Sequence, residues 1–218
     1  MLKAAIFDLD GTLIDSLQDL ASSMNEALTA LSFPAHDLDA YRYFIGDGVH
    51  SLIARALPAE AREDAATVQR ATELYRAAYG ANWCRATVPY VGIMELLADL
   101  QAAGIPLAVL SNKPQHFTAL CVAHFFPLQP FTVVFGQRDH VPRKPDPAGA
   151  LEIAATLQLP PESIAFIGDT SMDIGTGKAA GMPTIGVTWG FRTQDELVEA
   201  GATTIVHEPT AISPLFRK

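Results

Sequence analysis

Phe7-Asp8-Leu9-Asp10-Gly11-Thr12-Leu13-Ile14-Asp15-Ser16 is the stretch whose reading decides the fold. The apolar run from Leu2 to Phe7 ahead of it is too short for a helix and stops at acidic residues, which reads as a buried strand ending at Asp8. A helix follows. Ser16 suits its N-cap, Asp19 its first turn, and Leu17, Leu20, Ala21, Met24, Leu28 and Leu31 recur at helical spacing until Pro34 breaks the pattern. From Leu38 to Tyr79 the signals are helical only, with Ile45 to Leu57 arranged around a Gly46-Asp47-Gly48 turn.

Beyond Thr87 apolar runs alternate with amphipathic helices in the βαβ manner. Strands are expected at Leu107 to Leu110, Val133 to Phe135, Ile164 to Ile167, Thr184 to Val187 and Thr204 to Val206. Helices are expected near Gly92 to Ala103, Phe117 to His124, Pro147 to Leu157, Ile174 to Ala180 and Gln194 to Ala200, with Gly104, Gly181 and Gly201 closing three of them. The fold class is therefore α/β, an open doubly wound parallel sheet with an all-helical insertion after its first strand. The boundaries fall at residues 1–15 and 88–218 for the sheet domain and 16–87 for the insertion.

The chain has 218 residues, 49% hydrophobic and 18% charged, enough to bury a core. Fifteen basic residues against 24 acidic ones give a net charge of −9, which argues against nucleic acid or an anionic membrane as partner. The apolar runs fall short of the roughly 20 residues that span a bilayer. No signal segment precedes Asp8, and Cys84 and Cys121 form no disulfide framework, so a cytoplasmic location is expected.

In such sheets ligands sit outside the carboxyl ends of the strands, so polar residues just past each strand are the candidates. Four clusters answer: Asp8 to Thr12, Ser111-Asn112-Lys113, Arg143-Lys144-Pro145, and Gly168-Asp169 with Asp173. Carboxylates crowded at one rim repel each other unless a cation joins them, and hard oxygen ligands suit Mg²⁺, which leaves positions open for a substrate phosphate. Phosphoryl transfer needs positioning and neutralised oxygens, which Mg²⁺, Lys144, the Ser111 hydroxyl and backbone N–H groups after Asp8 could supply. An Asp carboxylate can attack phosphorus, and a second Asp two residues on can serve as general acid and then base.

Across nearly its whole length, and in these four clusters taken in order, the sequence resembles the haloacid dehalogenase superfamily of phosphatases, most closely its phosphoglycolate phosphatase-like members. The resemblance implies that core fold with a helical cap. Asp8 would be nucleophile and metal ligand, Asp10 acid/base and a ligand through its carbonyl, and Asp169 a direct ligand. Asp173 would act on the Mg²⁺ through water or orient Lys144. Ser111, Asn112, Lys144 and Thr12 would hold the phosphate of a small phosphorylated metabolite, with phosphoglycolate the leading candidate. Gly46, Asp47 and Gly48 resemble the loop by which the cap meets substrate.

Single residues carry less than the set. Alone, Ser111 reads as a helix N-cap before Pro114, Lys144 as a surface cation, and Asp15 as a residue that orients the first loop or caps the helix. Gly175 to Ala180 imitates a nucleotide fingerprint but does not open from a strand end, so its glycines are expected to permit close helix packing. The six His residues form no close ligand pair, and no G-x-S-x-G elbow occurs. Alternatives on the same core are a phosphosugar mutase, a phosphatase of pyrophosphate or a sugar phosphate, and a dehalogenase, which Asp10 and the acidic fourth cluster disfavour. A phosphonate hydrolase would need a lysine in the insertion, and none lies between Leu17 and Tyr79. A non-catalytic binding protein would not need the full set of groups.

Overall fold

The computed structural model describes residues 1–128 and 131–216; residues 129–130 and the tail end at 217–218 lie outside the described residues. The chain forms two compact units, Met1–Ile14 with Pro89–Lys218, and Asp15–Val88. It begins with strand β1 (Ala4–Phe7) and passes a two-residue strand, β2 (Ile14–Asp15), which pairs with β3 (Val88–Pro89).

The second unit is helical. It comprises α1 (Leu17–Ala30), α2 (Leu38–Phe44), α3 (Val49–Ala56) and α4 (Ala65–Asn82). Leu17, Leu20, Ala21, Met24, Ala27 and Leu28 bury one stripe of α1, as the spacing predicts. Ser16 stands at the N-cap but its side chain makes no capping bond; Asp15 Oδ1 accepts from the Leu17 N–H instead, at 3.2 Å. Asn25 on α1 orders the next connection, accepting from the His36 N–H (2.9 Å) and the Tyr41 hydroxyl (2.6 Å) and donating to the His36 carbonyl (2.9 Å). Asp19, buried in the first turn of α1, accepts from the N–H groups of Ala86 and Thr87 and from the Thr87 hydroxyl at 2.7–3.0 Å. That carboxylate is thereby satisfied by donors from the far end of the same unit, which is how a buried charge is retained.

The first unit continues with α5 (Ile93–Ala102), β4 (Leu107–Pro114), α6 (Gln115–Phe125), β5 (Phe131–Gln137), α7 (Ala148–Leu157), β6 (Ile164–Gly168), α8 (Ser171–Ala179), β7 (Thr184–Val187), α9 (Gln194–Glu199) and β8 (Thr204–Val206). Its sheet is six-stranded and parallel in the order β5-β4-β1-β6-β7-β8. The strands are apolar almost throughout because helices cover the sheet, and Ile6, Ala108, Leu110, Ile153, Phe166 and Met182 share one core cluster. The winding reverses beside β1, the position where such sheets open a crevice at their carboxyl ends. Register brings the site there: Phe7 pairs with both Val109 and Ile167, so Asp8, Leu110 and Gly168 each lie one residue beyond that level.

Several boundaries differ from expectation, and the two beside the candidate site do so for a physical reason. Strand β4 runs on through Ser111-Asn112-Lys113 to Pro114, with a register irregularity after Leu110, and α8 starts at Ser171 rather than Ile174. Polar residues read as loop when their partners are unknown; these are bonded inside the fold. Pro147 precedes rather than opens α7, and Asp146 Oδ1 accepts from the Ala148 N–H at 2.9 Å. The Gly175–Ala180 stretch lies in α8 and its end, and a Cβ on Gly177 would lie 2.4 Å from Thr184 Cγ2 and 3.0 Å from Phe166 Cβ, so that glycine does permit close helix–strand contact. No helix among the described residues is long and apolar enough to cross a membrane.

Candidate active site

Asp8, the first residue past β1, is buried, and Asp169 and Asp173 are buried completely. Each of the three offers a carboxylate oxygen, and those oxygens lie within 4.8 Å of one another. Lys144 Nζ stands between two of them, 2.6 Å from Asp173 Oδ1 and 2.8 Å from Asp8 Oδ1. The contact to Asp173 is a hydrogen bond, whereas Asp8 Oδ1 is close in charge but accepts no directed hydrogen bond. Asp173 Oδ2 accepts from the Thr170 N–H (3.0 Å) and the Thr170 hydroxyl (2.8 Å), so the N-terminal turn of α8 fixes Asp173, and Asp173 in turn aims Lys144.

Burial pushes the Asp8 carboxyl up to about 7, with the Asp173 charge adding to it and Lys144 pulling the other way. Burial likewise holds Asp169 well above its ordinary value, helped by Asp173 and Asp8 and opposed by the Phe191 N–H and the Thr12 hydroxyl. Burial disfavours the Lys144 ammonium, but the charges of Asp173 and Asp8 outweigh it and hold that group above the usual lysine range.

Asp10 meets a second lysine: Lys113 Nζ lies 2.9 and 3.0 Å from its two carboxylate oxygens. Four carboxylates face two ammonium groups, a surplus of two negative charges when all are ionised. A hard divalent cation matches that surplus, and the buried Asp8 Oδ1 with no hydrogen bond gives it a ligand atom. The donor set is all carboxylate and close-set, so the residues present fit Mg²⁺.

The other expected residues fall as follows. Ser111 is buried at the crevice, and its Oγ accepts from the Lys113 N–H at 3.2 Å. The Asn112 amide holds the main chain of Lys144, and the Thr12 hydroxyl donates to Asp169 Oδ1 at 3.0 Å, so both side chains expected at the phosphate are engaged in aligning other site residues. Gly11 has φ +89° and passes so close to Asp169 that a Cβ there would come within 2.4 Å of its Oδ2. In the helical unit, Gly46 (φ +125°) and Gly48 (φ +87°) flank Asp47, which pairs with Arg55; the Arg55 guanidinium also donates to the carbonyls of Tyr43 and Phe44 at 3.2 Å. That arginine fixes the shape of the Gly46–Gly48 turn.

The sequence reading missed the segment after β7. The Phe191 N–H donates to Asp169 Oδ2 at 2.8 Å, and the Trp189 indole N–H donates to the Thr12 carbonyl at 3.0 Å. A Cβ on Gly190 would lie 2.3 Å from the Gly11 carbonyl oxygen and 2.4 Å from Asp169 Cβ. The segment lies just past a strand end, as the other clusters do. Its contribution is made by main chain, an indole and a missing side chain, so a search for polar side chains passes over it.

Comparison with known proteins agrees with this geometry. Residues 5–187 match the model of the haloacid dehalogenase-like hydrolase family. The phosphoglycolate phosphatase of Pectobacterium atrosepticum is 33% identical over 217 residues, covering 99% of this chain and 92% of that protein. The phosphoglycolate phosphatase of Psychrobacter arcticus is 32% identical, covering 95% and 92%. The crystal structure of a protein from Haemophilus somnus, described as a predicted phosphoglycolate phosphatase, superimposes with a TM-score of 0.93 at 28% identity and covers 99% of this chain and 98% of that one.

Proposed function

Because this chain belongs to the haloacid dehalogenase-like hydrolase family and is a phosphoric monoester hydrolase, we propose that it is a Mg²⁺-dependent cytoplasmic phosphatase that cleaves phosphoglycolate through an aspartyl-phosphate. The observation that carries the reading is the buried Asp8, whose unbonded Oδ1 lies beside Lys144 and within reach of the Asp169 and Asp173 oxygens. Asp8, Asp169 and the Asp10 carbonyl would hold Mg²⁺, which when bound neutralises phosphoryl oxygens and the crowded carboxylates.

An Asp8 oxygen attacks phosphorus while the ester P–O bond breaks, and Asp10 gives its proton to the departing alkoxide. Asp10, now ionised, takes a proton from the water that attacks the phosphorus of the acyl phosphate. The Asp8–phosphorus bond breaks and inorganic phosphate leaves. Lys144, aimed by Asp173, stabilises charge on the transferring group, and the Ser111 hydroxyl and backbone N–H groups after Asp8 bind its oxygens.

The helical unit is proposed as the cap that screens the acyl phosphate from bulk water, with the Gly46-Asp47-Gly48 loop meeting the leaving group. Support for phosphoglycolate comes from the relatives, whose printed names give it. The test is a panel of phosphorylated metabolites with and without Mg²⁺, ranked by kcat/KM. Phosphoglycolate should lead and EDTA should abolish turnover. A higher rank for pyrophosphate or a sugar phosphate would move the substrate assignment, isomerisation of hexose phosphates would indicate a mutase, and full activity in EDTA would remove the metal.

A further inference from the structure

Lys113 is unaccounted for in that mechanism, yet it is one of the most constrained residues of the site. Its side chain is only 3% exposed, and its Nζ forks onto both oxygens of Asp10, at 2.9 and 3.0 Å. Its main chain is fixed on each side. The N–H donates to Ser111 Oγ at 3.2 Å, the carbonyl accepts from the Thr118 hydroxyl at 3.1 Å, and Gly136 packs so near that a Cβ there would lie 2.6 Å from the Lys113 oxygen. The extension of β4 explains the placement. Alternate residues of an extended chain face opposite sides, so Ser111 and Lys113 share one side while Asn112 turns to the Lys144 main chain.

We propose that Lys113 is a positioning residue that holds the Asp10 carboxylate where its proton transfers take place, and that it is not a ligand of the phosphoryl group. The proposal rests on the phosphatase reading for the role of Asp10. A general acid must lie within hydrogen-bond reach of the atom it serves, and misplacement by about 1 Å can cost on the order of 10²-fold in rate. Asp10 forms a bridge with Ile14 at the edge of the Gly11 turn, and a rigidly mounted ammonium grips both of its carboxylate oxygens there. The two lysines divide the work: Lys144 serves Asp8 and Asp173, and Lys113 serves Asp10. Lys113 neither gains nor loses a proton in either half-reaction.

The test compares Lys113→Met, Asp10→Asn and the double variant on phosphoglycolate and on acetyl phosphate, whose acyl leaving group departs without a proton. Lys113→Met should lower kcat on phosphoglycolate on the order of 10²-fold with KM nearly unchanged, and on acetyl phosphate should leave the initial burst of acetate intact while slowing the later hydrolysis of the acyl phosphate. In the Asp10→Asn background it should cost nothing further, and Lys113→Arg should recover part of the loss. Loss of that burst with a raised KM would make Lys113 a phosphate ligand, and additive losses in the double variant would separate it from Asp10; either overturns the proposal. Lys113→Gln provides the same comparison if the Met variant does not fold. A crystal structure of the folded variant is independent of turnover: Asp10 should leave its position, and an unmoved carboxylate would refute the assignment even if no substrate were found. Absence of turnover by the wild type on every phosphate ester would defeat the phosphatase reading and not this contact.

Discussion

Asn112 grips a single residue of a distant loop at two points: its Nδ2 donates to the Lys144 carbonyl at 3.2 Å, and its Oδ1 accepts from the Lys144 N–H at 2.9 Å. Both groups of Lys144 are buried, and the side chain they carry reaches two carboxylates. Asn112→Ala leaves a donor and an acceptor unsatisfied, at a cost of about 1–3 kcal/mol each. A lowered midpoint in denaturant and a fall in kcat larger than any rise in KM are expected. A raised KM at unchanged stability would show that the amide binds phosphate.

Metal-free protein should lose stability as pH rises. Asp8 titrates at about 7 in the fold against 3.8 ordinarily, so between those values the folded state binds more protons than the unfolded one. The stabilisation belongs to the protonated carboxyl and is gone above about pH 7, a change on the order of a few kcal/mol, and Asp169 is shifted in the same direction. Melting curves at pH 5 and pH 8 should diverge without Mg²⁺ and converge with it. Asp8→Asn should flatten the dependence while reducing turnover by at least roughly 10³-fold. Stability that rises from pH 5 to pH 8 in EDTA would contradict the assignment.

Lys144→Ala should reduce kcat by about 10²-fold or more with a modest change in KM, because the charge it opposes develops on the transferring group. If only KM moves, Lys144 binds ground and transition states alike.

Gly190→Ala tests the segment after β7. The added methyl meets main chain at Gly11 and the stem of Asp169, neither of which can swing aside. Activity should collapse, and the Mg²⁺ concentration for half-maximal rate should rise if any activity is retained. An alanine variant with an unchanged metal titration would take Gly190 out of the site.

Gly46→Val and Gly48→Val force a β-branched residue into backbone that favours glycine. The variants should impair phosphoglycolate much more than acetyl phosphate. Equal losses on both would make the turn a folding element and withdraw its role in specificity.

The parallel sheet and its helices were legible because short, wholly apolar runs such as Ile164 to Ile167 alternate with amphipathic helical stretches. The four clusters were legible because strand ends are where such sheets hold ligands. What the sequence withheld was the division of labour within the clusters. Thr12 and Asn112 carry groups able to bind phosphate, and only their neighbours in space, Asp169 and the Lys144 main chain, show what they hold. Lys113 and Asp10 are separated by more than a hundred residues, so no local pattern pairs them. The N–H of Phe191 has no signature at all.

Asp19 brings the first turn of α1 and the Ala86–Thr87 segment to one point, so the helical unit starts and finishes at a single knot. An insert whose two ends meet adds no span to its host. The order and register of the six-stranded sheet are written entirely in the residues on either side of it. The fold thus divides into a six-stranded sheet formed wholly outside residues 15–88 and a helical unit that closes on its own two ends.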